Sequence, residues 1–88
     1  MKQYHLIVSG FVQGVGFRYY TERLAFSYKI KGWVRNLPDG TVEIVAQGHD
    51  EPLYAFIEEI KKGPGFSRVI DVQMVEQTPD IFSSFEIR

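Results

Sequence analysis

Apolar residues recur along this chain with a period of about two, then 3.6, then two, two, 3.6 and two again, and that order leaves few folds open. Tyr4, Leu6 and Val8 alternate with Gln3, His5 and Ser9, as in a strand with one buried face, and Gly10 is expected to end it. From Phe17 the spacing lengthens, and Phe17, Tyr20, Leu24 and Tyr28 share one helical face. Gly32 breaks that pattern ahead of a second strand, Trp33-Val34-Arg35-Asn36. Pro38-Asp39-Gly40 makes a turn, and Val42, Ile44 and Ala46 form a third strand antiparallel to the second. Asp50 is the expected N-cap of the next element, with Pro52 in its first turn. Leu53, Phe56, Ile57 and Ile60 follow at i, i+3, i+4 and i+7, and Gly63-Pro64-Gly65 stops that helix. Ile70, Val72 and Met74 alternate as a fourth strand, and Phe85-Glu86-Ile87 is a candidate fifth.

The fold class is therefore α+β: a βαββαβ, ferredoxin-like sandwich of an antiparallel sheet with two helices on one face. At 88 residues, positions 1–88 read as one domain with a single core. Many unrelated functions use this topology, so function has to come from a site.

Composition removes several classes. There is no cysteine, which excludes disulfides, thiolate catalysis and cysteine-zinc sites and suits a reducing cytoplasm. Ten basic and eleven acidic residues give a formal charge of −1, so no broad cationic field gathers nucleic acid or anionic lipid. No signal peptide or membrane span is read, and a monomer is the simplest expectation. An anion site here must be local.

Topology points to where that site lies. A right-handed βαβ unit makes the first two strands parallel, so the segment Gly10–Gly16 and the turn Asn36–Gly40 emerge at one edge of the sheet. With the third strand between them they are roughly 10 Å apart. Gly10-Phe11-Val12-Gln13-Gly14-Val15-Gly16-Phe17-Arg18 places three glycines in a strand-to-helix connection, where successive N–H groups can turn into one hollow beside a helix N-terminus. Arg18 lies in the first helical turn, where the dipole disfavours a cation unless an anion sits between them. The same features suit a plain tight turn with a solvated arginine. No Gly-Lys-Ser/Thr follows the glycines, and the spacing does not fit a dinucleotide fingerprint.

These segments resemble the two signatures of the acylphosphatases. Gly10-Phe11-Val12-Gln13-Gly14-Val15-Gly16-Phe17-Arg18 is similar to the first. Gly32-Trp33-Val34-Arg35-Asn36 with Gly40-Thr41-Val42 and Gly48 is similar to the second. The likeness extends to Gly63-Pro64 and to Phe85-Glu86-Ile87. It implies hydrolysis of an acyl phosphate, a small-molecule substrate, to a carboxylate and inorganic phosphate, with no metal and no cofactor. It implies that Arg18 binds the phosphate beside the N–H groups of Gln13, Gly14, Val15, Gly16, Phe17 and Arg18, and that Asn36 positions water. Leu37 and Ser27-Tyr28-Lys29 depart from the pattern without replacing Arg18 or Asn36, though Leu37, next to Asn36, can alter the rim of the site.

The remaining chemistry-bearing residues are read as structural. His5 and His49 lack metal-ligand companions, Asp39 and Glu43 are turn and exposed-strand residues, and Arg35 is solvated. Trp33 is expected in the core, Phe11 and Phe17 as packing anchors, and Thr41 as a hydrogen-bond partner that orients Asn36. Two rivals stay open. RNA-recognition domains share the topology, though here Gly10-Phe11-Val12 is read as loop, and an anion pocket can serve as a sensor without turnover.

Overall fold

Strand alternation and helical stripes meet in one two-layer arrangement in the computed structural model, which describes all residues from Met1 to Arg88. The elements run β1 (Lys2–Phe11), α1 (Phe17–Tyr28), β2 (Lys31–Asn36), β3 (Val42–Gly48), α2 (Asp50–Lys62), β4 (Arg68–Gln77) and β5 (Phe85–Ile87). The sheet order is β4-β1-β3-β2-β5. Four neighbours make three antiparallel pairs, and β5 adds a parallel pair with β2, so the sheet is mixed rather than antiparallel as expected.

Tyr4, Leu6 and Val8 of β1 and Val42, Ile44 and Ala46 of β3 turn to the helices and are buried. Leu53, Phe56, Ile57 and Ile60 of α2 close over them, the stripe the spacing predicts. Each large side chain sealed this way contributes roughly 1.5–3 kcal/mol, so the core and not any ion pair holds the layers together. On α1 the stripe is rotated from expectation. Phe17, Thr21 and Ala25 are the buried residues, and Tyr20, Leu24 and Tyr28 flank them. Thr21 fits because its hydroxyl donates to the Phe17 carbonyl at 2.8 Å. The Tyr20 hydroxyl donates to the Glu59 carbonyl at 2.7 Å and ties α1 to α2.

Several local expectations need correction. β1 does not stop at Gly10. The register shifts between Ser9 and Gly10, and pairing resumes with Val69 and Arg68. The bulge leaves Ile70 outside the ladder and exposed, so Val69 and Val72, not Ile70, pack against the core. α2 is capped by His49 in extended conformation, with Asp50 and Glu51 in its first turn. Trp33 lies on the sheet face away from the helices, half-buried, with the Arg35 and Arg88 guanidiniums each 5.1 Å from its ring centroid. Arg35 is not simply solvated. It donates to Glu43 Oε1 at 2.5 Å, while His5 Nε2 lies 2.7 Å from Glu43 Oε2, so one carboxylate links three strands. Phe17 is buried as expected, but Phe11 is 62% exposed.

The segment joining β4 to β5 runs from one edge of the sheet to the other and is pinned on the way. Buried Gln3 donates to Gln77 and to Asp80, each at 2.9 Å, and Gln47 donates to the Asp80 carbonyl at 2.6 Å. No helix is long and apolar enough to cross a membrane.

Candidate active site

The connection from β1 to α1 is built around left-handed glycines. Gly14 (φ 74°) and Gly16 (φ 78°) take a backbone region that costs other residues about 1–2 kcal/mol, while Val12 between them and the strand is buried and anchors the loop. Gly16 caps α1 with no side-chain hydrogen bond. The first rung of the helix is Tyr20 N–H to Gly16 C=O at 3.0 Å, so the helix leaves the amides of Phe17, Arg18 and Tyr19 without acceptors of its own. The two helices differ here. Asp50 and Glu51 neutralise the positive end of α2, whereas α1 has no acidic residue in its first turn and carries Arg18 instead.

The other wall comes from the β2–β3 connection. Asp39 Oδ1 accepts from the Thr41 amide at 3.0 Å and its hydroxyl at 2.6 Å, and these bonds hold the Asp39 carboxyl below its ordinary pKa. The Thr41 hydroxyl donates to Asp39 and makes no hydrogen bond with Asn36, so the expected orienting contact is not formed. The Thr41 carbonyl matters instead. The Gln13 side-chain amide donates to the carbonyls of Leu37 and Thr41, both at 2.8 Å, and so clamps the glycine loop to the turn that follows Asn36. Gln13 was expected to contribute its N–H to a phosphate; its side chain has this separate task.

Between these walls lies a cavity of about 230 Å³. Gly14, Gly16, Phe17, Arg18 and Asn36 line it, so five of the residues singled out in the sequence come together. Val15 lines a neighbouring concavity instead, and Thr41 lines neither. Three residues were missed, and one of them, Val12, stands in the glycine segment itself. Tyr19 was readable as the neighbour of Arg18 in the first helical turn. Ile87 was not, because it arrives only through the parallel register Val34↔Ile87 between β2 and β5.

Arg18 is the one charged side chain in the lining, and it is exposed and outside every ion pair of the chain. No histidine, carboxylate or thiol lines the cavity. No cluster of three His, Cys, Asp or Glu residues forms a metal-binding set anywhere in the fold. The arrangement can hold an anion and align a small polar molecule beside it. Larger concavities of about 700 and 530 Å³ flank α1, but neither combines the loop, Arg18 and Asn36. Gly10 and Phe11 belong to β1, not to the loop where the comparison with RNA-recognition domains had put them.

Comparison with known proteins covers nearly the whole chain. The family described as Acylphosphatase matches residues 4–87. An acylphosphatase of Bacillus licheniformis is 52% identical, covering 99% of this chain and 98% of the relative. One from Thermotoga maritima is 44% identical, covering 100% and 98%. The crystal structure of acylphosphatase from Bacillus subtilis superposes with a TM-score of 0.97 at 44% identity, over 100% of this chain and 99% of that one.

Proposed function

The chain belongs to the acylphosphatase family, and from that premise we propose that it hydrolyses acyl phosphates at the cavity between the glycine loop and Asn36. The observation that carries this reading is the convergence of leftover helix amides, an unpaired Arg18 and Asn36 on one small cavity with no other charge in it. The substrate is a small-molecule acyl phosphate and the products are a carboxylate and inorganic phosphate. Arg18 grips the phosphoryl oxygens, and the amides from Gln13 to Arg18 complete the cradle.

The residue inventory suits this bond and few others. The leaving carboxylate has a conjugate acid of pKa about 4, so it departs unprotonated and needs no general acid. An alkyl phosphate would expel an alkoxide and does need one. For a loose, metaphosphate-like transition state, positioning and charge stabilisation are most of what is required. Asn36 accepts a hydrogen bond from water and aligns it in line with the leaving oxygen, and the proton passes to a phosphoryl oxygen. No step calls for a metal or cofactor. The protein acts as a monomer in a cytoplasmic setting.

The test is hydrolysis of acetyl phosphate in excess chelator. Full turnover is expected, with Arg18→Ala lowering kcat/KM by about a hundredfold or more and Asn36→Ala lowering kcat by a similar factor. Arg18→Ala should also weaken competitive inhibition by phosphate, and Asn36→Ala should leave it nearly intact. A folded protein that binds phosphate without turnover would overturn the reading and leave a sensor.

A further inference from the structure

The cavity of about 230 Å³ takes the phosphoryl group, and a longer acyl chain can extend beyond it. Tyr19 shows the way out, because it lines this cavity and both larger concavities along α1. Arg23, one turn further, lines both of those. Its guanidinium carbon lies 5.8 Å from the Tyr19 ring centroid, a cation held against an aromatic face.

Charge along this path is one-sided. Arg23 is the sole charged residue lining the concavity of about 530 Å³. In the larger one Arg23, Lys29 and Lys31 face a single carboxylate, Glu22. Arg23 is exposed and takes part in none of the ion pairs of the chain. On either branch along α1, an acyl chain that leaves over Tyr19 meets Arg23. Arg23 lies one helical turn, about 6 Å of rise, beyond Tyr19.

We infer that Tyr19 and Arg23 form the acyl-group subsite, and that it selects acyl phosphates whose acyl chain carries a second carboxylate. This rests on the hydrolytic reading above and names its substrate class. Tyr19 supplies the apolar floor and holds the guanidinium, and Arg23 pairs with the distal carboxylate. Neither touches the reacting atoms.

Succinyl phosphate and butyryl phosphate, equal in carbon number and different in distal charge, make the test. The readout is the ratio of their kcat/KM values for the wild type, Arg23→Gln and Arg23→Lys. The ratio is expected to favour succinyl phosphate, to fall roughly fivefold in Arg23→Gln through KM, and to survive largely in Arg23→Lys, because an exposed ion pair is worth up to about that factor. Added salt should erode the wild-type preference in the same direction. Turnover of both substrates with a ratio that Arg23→Gln does not move overturns the inference alone. No turnover of either by folded wild type overturns the hydrolytic reading beneath it.

Discussion

Gln13 shows how a single side chain can set a site without lining it. Its amide spans from the glycine loop to the carbonyls of Leu37 and Thr41, so it fixes the distance between the two walls that carry Arg18 and Asn36. Gln13→Leu keeps the bulk and removes both bonds, leaving two carbonyls unanswered. We expect activity on acetyl phosphate to fall about tenfold, with Gln13→Glu failing to rescue it because a carboxylate cannot donate, while stability drops by roughly 1–3 kcal/mol. Steady-state kinetics beside urea unfolding would check this. An unchanged rate in the Leu variant would refute a positioning role. At this scale the topology was enough to expect the glycine segment and the turn after Asn36 at one sheet edge, and Arg18 and Asn36 do line one cavity there. The sequence was illegible for Gln13 and Thr41. An amide or hydroxyl has several acceptors within reach, and only coordinates say that Thr41 chooses Asp39 over Asn36.

Elements that satisfy themselves were the ones most easily read. α2 shows its buried stripe in the spacing of its own residues, and the structure seals those four positions. Edges and bulges depend on partners far away in sequence. The bulge opposite Gly10 reassigned the faces of β4, and no feature of Ile70-Asp71-Val72 announces it. Gly10 itself is held there by contact. Its φ is 128°, and a Cβ would stand 2.0 Å from the Arg68 carbonyl oxygen. Gly32 is under the same constraint, with φ 135° and a Cβ 1.9 Å from the Val45 oxygen. Gly10→Ala should force β4 away from β1 and cost about 3 kcal/mol or more, read as a lowered urea midpoint. Gly14→Ala has no neighbour within 4 Å of its Cβ and carries only the cost of its positive φ, so it should cost about 1–2 kcal/mol. Equal losses in the two would contradict this account.

Across the whole molecule, the class and the order of elements along the chain were legible, because the alternation of periods admits little else. The mixed sheet was not. β5 reaches β2 along a segment pinned by Gln3, Gln47 and Asp80, residues that pass for surface polar groups in the sequence. Acid stability also belongs to this scale. Burial pushes the Glu43 carboxyl up, but the hydrogen bonds from His5 and Arg35 outweigh it and hold the pKa below the ordinary 4.5. A depressed folded pKa stabilises the fold above the unfolded value, and that support is lost as pH falls through the folded pKa. Stability should therefore decline below about pH 4.5, and Glu43→Gln should soften the decline. Urea midpoints at neutral and acid pH for both proteins would check it, and parallel slopes would sink it. β1 sits between β3 and β4, and Gln3 meets Gln77 across 74 positions of chain. The segment that leads the sequence waits longest for its neighbours, and the entropy of closing so wide a loop is spent before any ladder repays it. Such a topology folds more slowly than a helical bundle of the same size, giving up speed rather than depth of the final energy well.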